Sequence, residues 1–179
     1  MSRFLIFILA FALISLSFQE RGERNTVNYS ILKTALKADA ALAYCKGHNY
    51  NSKFCYLIDM SIHSGKNRFF IWDFKSKMIS DSGLVSHGCC ESLWSADESK
   101  EAPIFSNVPE SHCSSLGKYK IGKRGYSSWG INVNYKLHGL DKTNSNAYKR
   151  IIVLHSWDAV SEEEIYPIGT PEGWGCPAV

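Results

Sequence analysis

Near the end of the chain Cys176 stands in the run GWGCPAV, with Gly173 and Gly175 ahead of it. Glycine has no Cβ, so the backbone there can turn tightly and a second molecule can come close to the sulfur. Twenty-one residues earlier the apolar run Ile151, Ile152, Val153, Leu154 ends in His155. A histidine at the exit of a buried strand is held rigidly, which suits a base. A thiol with an imidazole beside it is the minimum for acyl transfer through sulfur. The imidazole takes the thiol proton, the sulfur attacks a carbonyl, and backbone N–H groups stabilise the oxyanion. A cysteine with a purely structural role would leave the same two marks, so the surrounding elements have to be read as well.

Those elements begin with a helix. Asn28 can cap it, Ile31, Leu32, Ala35, Leu36, Leu42 and Ala43 recur near the helical period, and Lys46 with Gly47 closes it. The pattern then changes to short runs rich in aromatic and branched residues at 55–62, 68–74 and 78–86, with Ser64 to Asn67 reading as a hairpin loop. From His87 to His112 no period is sustained and Pro103 and Pro109 interrupt the chain, which predicts a long loop with room for one short helix. Three more strands are expected at 118–123, 130–137 and 151–155, with a turn or short helix over 144–150. The expected fold is a mainly antiparallel β-sheet or sandwich with a helix packed on it.

Composition sets limits on the rest. In 179 residues, 45% are hydrophobic, 13% aromatic and 21% charged, the balance of a globular domain rather than a disordered chain. One domain of this length buries roughly 70% of its unfolded surface. The 20 basic and 17 acidic residues give a formal charge of +3 and are scattered, so nucleic acid is not suggested as a partner. Arg3, an apolar run from Phe4 to Ile14, and the small residues Ser15 and Ser17 have the three parts of a secretory signal peptide. The expectation is therefore a signal at 1–17 cleaved after Ser17, a flexible segment at 18–27 and the domain proper at 28–179. The apolar run is shorter than the roughly 20 residues that span a bilayer, so no membrane anchor is expected after cleavage. The mature protein should be exported, to a periplasm or the cell exterior.

Export bears on the six cysteines, because oxidising compartments favour disulfides. If Cys176 works as a free thiol, five remain, and five cannot pair completely within one chain. Cys45 with Cys55, and Cys113 with either Cys89 or Cys90, are plausible pairs, and spacing does not decide the connectivity. No C-x-x-C pair is present, which speaks against a zinc site.

From about Ala35 to Val179 the sequence resembles the L,D-transpeptidase catalytic-domain family (YkuD-like), in its murein branch. The resemblance is carried by LIDMSIHSGKNRFFIWD at 57–73, LVSHG at 84–88, FSNVPESHCSSLGKYKIG at 105–122, HGLDKTNSNAYKRIIVLHSWDAV at 138–160 and GWGCPAV at 173–179. It implies that Cys176 is the nucleophile, His155 its base, and the backbone carbonyl of Ser156 the group that orients the imidazole. It implies an oxyanion hole near Gly175 and Cys176, and acylation by carbapenems. Where the family usually has Ser or Thr three residues before the Cys, often preceded by Arg, this chain has Gly173 preceded by Glu172 and Pro171. Ser156 stands where many members have Gly, and Trp174 where many have His or Arg. The resemblance also implies further sheet-forming residues past Val179, so the expectation is either a chain truncated at its C-terminus or a degenerate, inactive relative.

Four other residues are candidates for substrate contact. His87 before Gly88 and His138 before Gly139 resemble family positions that face the cleft, although each could be a satisfied histidine in a turn. Asn146 could shape the cleft, although an Asn-Ser-Asn run more often caps a helix. Trp174, beside the nucleophile, could wall the acyl pocket. The expected function is an exported L,D-transpeptidase-like enzyme. It would cleave the bond between an L-centre and a terminal D-residue in a peptidoglycan stem peptide and transfer the acyl group to an amine, with no cofactor. An L,D-carboxypeptidase, or a cell-wall binding relative without catalysis, are the alternatives.

Overall fold

A computed structural model describes residues 33–92 and 103–179. The proposed signal, the capping Asn28 and Trp94 lie outside the described residues. Among the described residues the protein is mainly β, with one helix and two antiparallel three-stranded sheets. It divides into two compact units. One takes the chain up to Cys55 with Asp73–Met78, and the other takes Tyr56–Trp72 with Ile79–Val179.

In the first unit helix α1 covers 33–47. Sequence placed its stop at Gly47, but the left-handed closing residue is Asn49, at φ 56°. The Tyr50 amide then reaches the Cys45 carbonyl at 2.9 Å, which satisfies a carbonyl the helix end would leave open. Asp73 folds the other segment of this unit by accepting the Lys75 and Ser76 amides at 2.8 and 2.7 Å. Among the described residues no helix is long and apolar enough to cross a membrane.

The first sheet has the order β1 (Phe54–Ile58), β2 (Phe69–Asp73), β3 (Met78–Gly83). β1 ends sooner than the apolar run predicts because Asp59 makes a turn, its carboxylate taking the Ser61 amide at 3.1 Å.

The second sheet has the order β4 (Tyr119–Tyr126), β5 (Val133–Gly139), β6 (Val153–His155), antiparallel throughout. β4 is longer than expected because it absorbs a bulge between Ile121 and Arg124. β6 is shorter, because Ile151 is left-handed at φ 59° and closes the preceding turn rather than joining the ladder.

Between β5 and β6, the turn or short helix expected over 144–150 is a run of turns over 145–151, entered through a 3-10 turn at Lys142–Asn144. Asn144 is fully buried and holds it, accepting the Asp141 amide at 2.9 Å and donating to the Lys118 carbonyl at 2.7 Å. Leu137, Ala147 and Ile152 form the core beneath this sheet, with Tyr119, Leu154 and Cys176 packed against it. A second cluster gathers Leu84, Val160 and Ala178, with Trp157 and Ile165 against them.

Candidate active site

The segment 173–179 is strapped on both flanks. On one side the Gly173 amide donates to the His87 carbonyl at 2.8 Å, the Cys89 amide to the Gly173 carbonyl at 2.7 Å, and the Ser86 amide to the Ala178 carbonyl at 2.9 Å. On the other side the Val179 amide donates to the His155 carbonyl and the Trp157 amide to the Val179 carbonyl, each at 2.9 Å. Both pairings are parallel bridges, Gly88 with Gly173 and His155 with Ala178. The stretch that carries Cys176 thus runs alongside the end of β6 that carries His155, and the two sequence-predicted residues are brought onto adjacent segments.

His155 is oriented by its neighbour. Its Nδ1 lies 2.8 Å from the Ser156 carbonyl oxygen. A proton on Nδ1 completes that bond and leaves Nε2 with its lone pair, the form a base requires. Ser156 is itself fixed, since its hydroxyl accepts the Ile131 amide at 2.9 Å. Gly130, at φ 52°, lets the β4–β5 loop lie against Ser156 where any Cβ would collide with the hydroxyl.

The two glycines before Cys176 differ. Gly175 has φ 92°, and a Cβ there would stand 2.6 Å from the Cys113 carbonyl oxygen and 3.3 Å from a guanidinium nitrogen of Arg150. Only glycine fits. Gly173 has nothing within 4 Å of the corresponding position, so its freedom to turn is not what the backbone uses. The Gly175 carbonyl is turned inward, accepting the Ser114 hydroxyl at 3.2 Å. Among the described residues neither the Gly175 nor the Cys176 amide has a hydrogen-bond acceptor. Two adjacent unpaired donors beside a sulfur are what a developing oxyanion would need.

Cys176 is free and half-buried. Its sulfur packs on the Leu137, Ala147 and Ile152 cluster and lies 3.9 Å from the Ile151 carbonyl oxygen. Burial pushes its thiol above the ordinary value, while the Val153 backbone N–H and the Arg150 guanidinium pull the other way.

The remaining predicted residues are dispersed. His87, a candidate either for substrate contact or for a satisfied histidine in a turn, is fully buried, as the second of these requires. Its Nδ1 meets a guanidinium nitrogen of Arg68 at 3.0 Å and its Nε2 meets Glu172 at 3.2 Å. Arginine can only donate, so Nδ1 accepts and the proton sits on Nε2, facing the carboxylate. His138 stacks on Tyr148 with ring centres 4.6 Å apart and lies over Gly122. Asn146 is tied to Asn107, its side chain donating to the Asn107 carbonyl at 2.9 Å. Trp174 is 62% exposed and stacks on His112 at 5.5 Å.

Sequence reasoning missed Arg150, Ser114 and Glu172. The hydroxyl missing at Gly173 has a counterpart from elsewhere in Ser114, and a positive group is brought to the nucleophile loop by Arg150. Glu172, which stands where the family pattern often has Arg, turns into the interior. Of the cysteine pairs left open by sequence, Cys90–Cys113 is formed, and Cys45, Cys55 and Cys89 are free.

A free cysteine and a carbonyl-oriented histidine thus lie on neighbouring segments of a mainly β domain. A model of the L,D-transpeptidase catalytic domain matches residues 23–179. The chain belongs to the L,D-transpeptidase catalytic-domain family, as the sequence resemblance implied. Comparisons with curated proteins and with solved structures find no match.

Proposed function

We propose that this protein is an exported cysteine acyltransferase that acts on peptidoglycan stem peptides through Cys176 and His155. The observation that carries the reading is the parallel pairing of the Cys176 segment with His155, whose Nδ1 faces the Ser156 carbonyl at 2.8 Å. As Cys176 Sγ attacks the carbonyl between an L-centre and a terminal D-residue, its proton passes to His155 Nε2. The oxygen takes up negative charge facing the Gly175 and Cys176 amides. Collapse breaks the C–N bond, His155 returns the proton to the departing D-amino acid, and a thioester remains. An incoming amine, losing its proton to His155, resolves the thioester as a cross-link or an exchanged D-residue. The chain's own thiol, imidazole and amides supply every group in this sequence.

Export is supported by the signal-like residues 1–17 and by the Cys90–Cys113 disulfide, a bond that persists in oxidising compartments. The N-terminal sequence of protein from the exported fraction tests this, and Phe18 is the expected first residue.

The test of chemistry is intact mass with and without a carbapenem, followed by analysis of products from stem tetrapeptides. A drug-sized adduct is expected on the wild type and not on Cys176→Ala, with much slower acylation in His155→Ala. Amine-linked products indicate transfer, whereas a shortened peptide alone indicates an L,D-carboxypeptidase. A folded wild type that takes no adduct and releases no D-amino acid sinks the reading and leaves a binding role on this scaffold.

A further inference from the structure

Arg150 is the half-buried cation nearest the nucleophile loop, and its hydrogen bonds are unusual for an arginine. One terminal nitrogen donates to the Ser106 carbonyl at 2.9 Å, and the other to the Cys113 carbonyl at 2.6 Å and the Ser111 hydroxyl at 3.4 Å. All three acceptors are neutral. Among the described residues no carboxylate pairs with it. A guanidinium removed from water is ordinarily matched by a carboxylate, and its planar fork is otherwise kept for an anion.

The fork is aimed at the nucleophile loop. The nitrogen bound to Cys113 stands 3.3 Å from where a Cβ of Gly175 would be, one residue before Cys176. Cys113 is itself anchored by its disulfide to Cys90, so the guanidinium is held from a fixed point. The titratable and charged groups around Cys176 are Arg150, from the turn before β6, and Tyr119 on β4, with His155 at the end of β6 on the segment paired to Ala178. Tyr119 is half-buried against the same core and its hydroxyl is bound to Ser115 at 2.8 Å. Among these, Arg150 carries a fixed positive charge.

We propose that Arg150 is a positioning residue that supplies the counter-charge to the Cys176 thiolate as His155 removes its proton. The proposal rests on the acyl-transfer reading above and deepens it. His155 accepts the proton, and the negative charge left on sulfur lies beside a cation that no carboxylate neutralises. Once the thioester forms, sulfur is neutral again and the same cation favours return of the thiolate as leaving group when the acyl chain moves on. The opposing effects of burial and Arg150 on the thiol agree with this placement.

The test is the pH dependence of Cys176 alkylation by iodoacetamide in the full chain, followed by peptide mass so that Cys45, Cys55 and Cys89 are scored separately. Arg150→Gln should move the profile to higher pH, lowering the rate at a fixed pH below its midpoint roughly tenfold, the effect of one pKa unit. Arg150→Lys keeps the charge and loses the fork, and its profile should stay within about threefold of the wild type. The same difference between Arg150 and Gln should persist in a His155→Ala background, where an imidazolium cannot account for it.

An Arg150→Gln profile that overlays the wild type in a folded protein overturns the proposal. If Arg150→Gln does not fold, an Arg150→Lys profile displaced as far as about a tenfold rate loss overturns it, because charge was then not what mattered. Alkylation that depends on Arg150 in a protein that releases no D-amino acid keeps the counter-charge and removes the acyl-transfer reading. A carbapenem adduct whose formation ignores Arg150 does the reverse.

Discussion

The hydroxyl of Ser114 joins Gly88 to Gly175, accepting the Gly88 amide at 3.1 Å and donating to the Gly175 carbonyl at 3.2 Å. One buried side chain therefore sets the spacing between the segment after β3 and the loop that presents Cys176. Ser114→Ala leaves a buried N–H and a buried carbonyl without that partner. The expected cost is about 1–3 kcal/mol, measured as a lower urea midpoint at unchanged m-value. An unchanged midpoint would mean that the hydroxyl does not hold the loop.

The two glycines of the Cys176 loop should respond oppositely. Gly175→Ala forces a Cβ onto the Cys113 carbonyl at a positive φ, and should cost about 1–3 kcal/mol or more and slow Cys176 alkylation. Gly173→Ala meets open space and should leave both thermal stability and alkylation near wild type. Comparable losses in the two variants would count against the backbone geometry of the loop.

Arg68, His87 and Glu172 are each fully buried and joined in a row that ends four residues before Cys176. Burial lowers the Arg68 guanidinium to about 10, with Glu172 opposing the shift. Glu172→Ala strands that charge in the interior, for an expected loss of about 3–5 kcal/mol. The double variant Arg68→Met with Glu172→Leu removes both charges and should unfold at higher urea than Glu172→Ala alone. If the double variant is the weaker, the row stabilises by more than mutual neutralisation.

Much of the scaffold was legible because it depends on local pattern. Alternation and aromatic content located all six strands, and the glycine beside Cys176 announced a close approach. What could not be read depends on contacts between distant residues. Glu172 looks like any surface acid between a proline and a glycine until Arg68 and His87 close over it, and His87 looks like a turn histidine until it is seen to be sealed. Arg150 reads as a solvated charge at the end of a turn, because its partners Ser106, Ser111 and Cys113 are some forty residues away in sequence. Register also hides ends of strands, since nothing local shows that Ile151 adopts a left-handed conformation.

Asp141 gives a pH prediction. Hydrogen bonds from the Lys118 ammonium at 2.6 Å and the Lys118 amide at 2.7 Å hold its carboxyl below the ordinary value. Between the lowered folded value and the ordinary one, the unfolded chain binds more protons, so stability rises with pH there. The contribution is complete above the ordinary carboxylate range and is lost as pH falls through the folded value. Urea midpoints between about pH 5 and about pH 2 should fall more steeply for wild type than for Asp141→Asn. Equal slopes would remove Asp141 from the account.

The bonds that hold the strap at 173–179 also bear on how the molecule comes to be built. Ser86 meets Ala178 across 92 residues of chain, and Ser64 meets Thr170 across 106. Pairings of that span carry a large loop-closure entropy and form late, after hairpins such as β4–β5 are in place. Protection of Cys176 from iodoacetamide should therefore appear as the last event on refolding from urea, behind recovery of β-sheet circular dichroism. A partly folded chain would hold its sheets and still carry an ordinary exposed thiol.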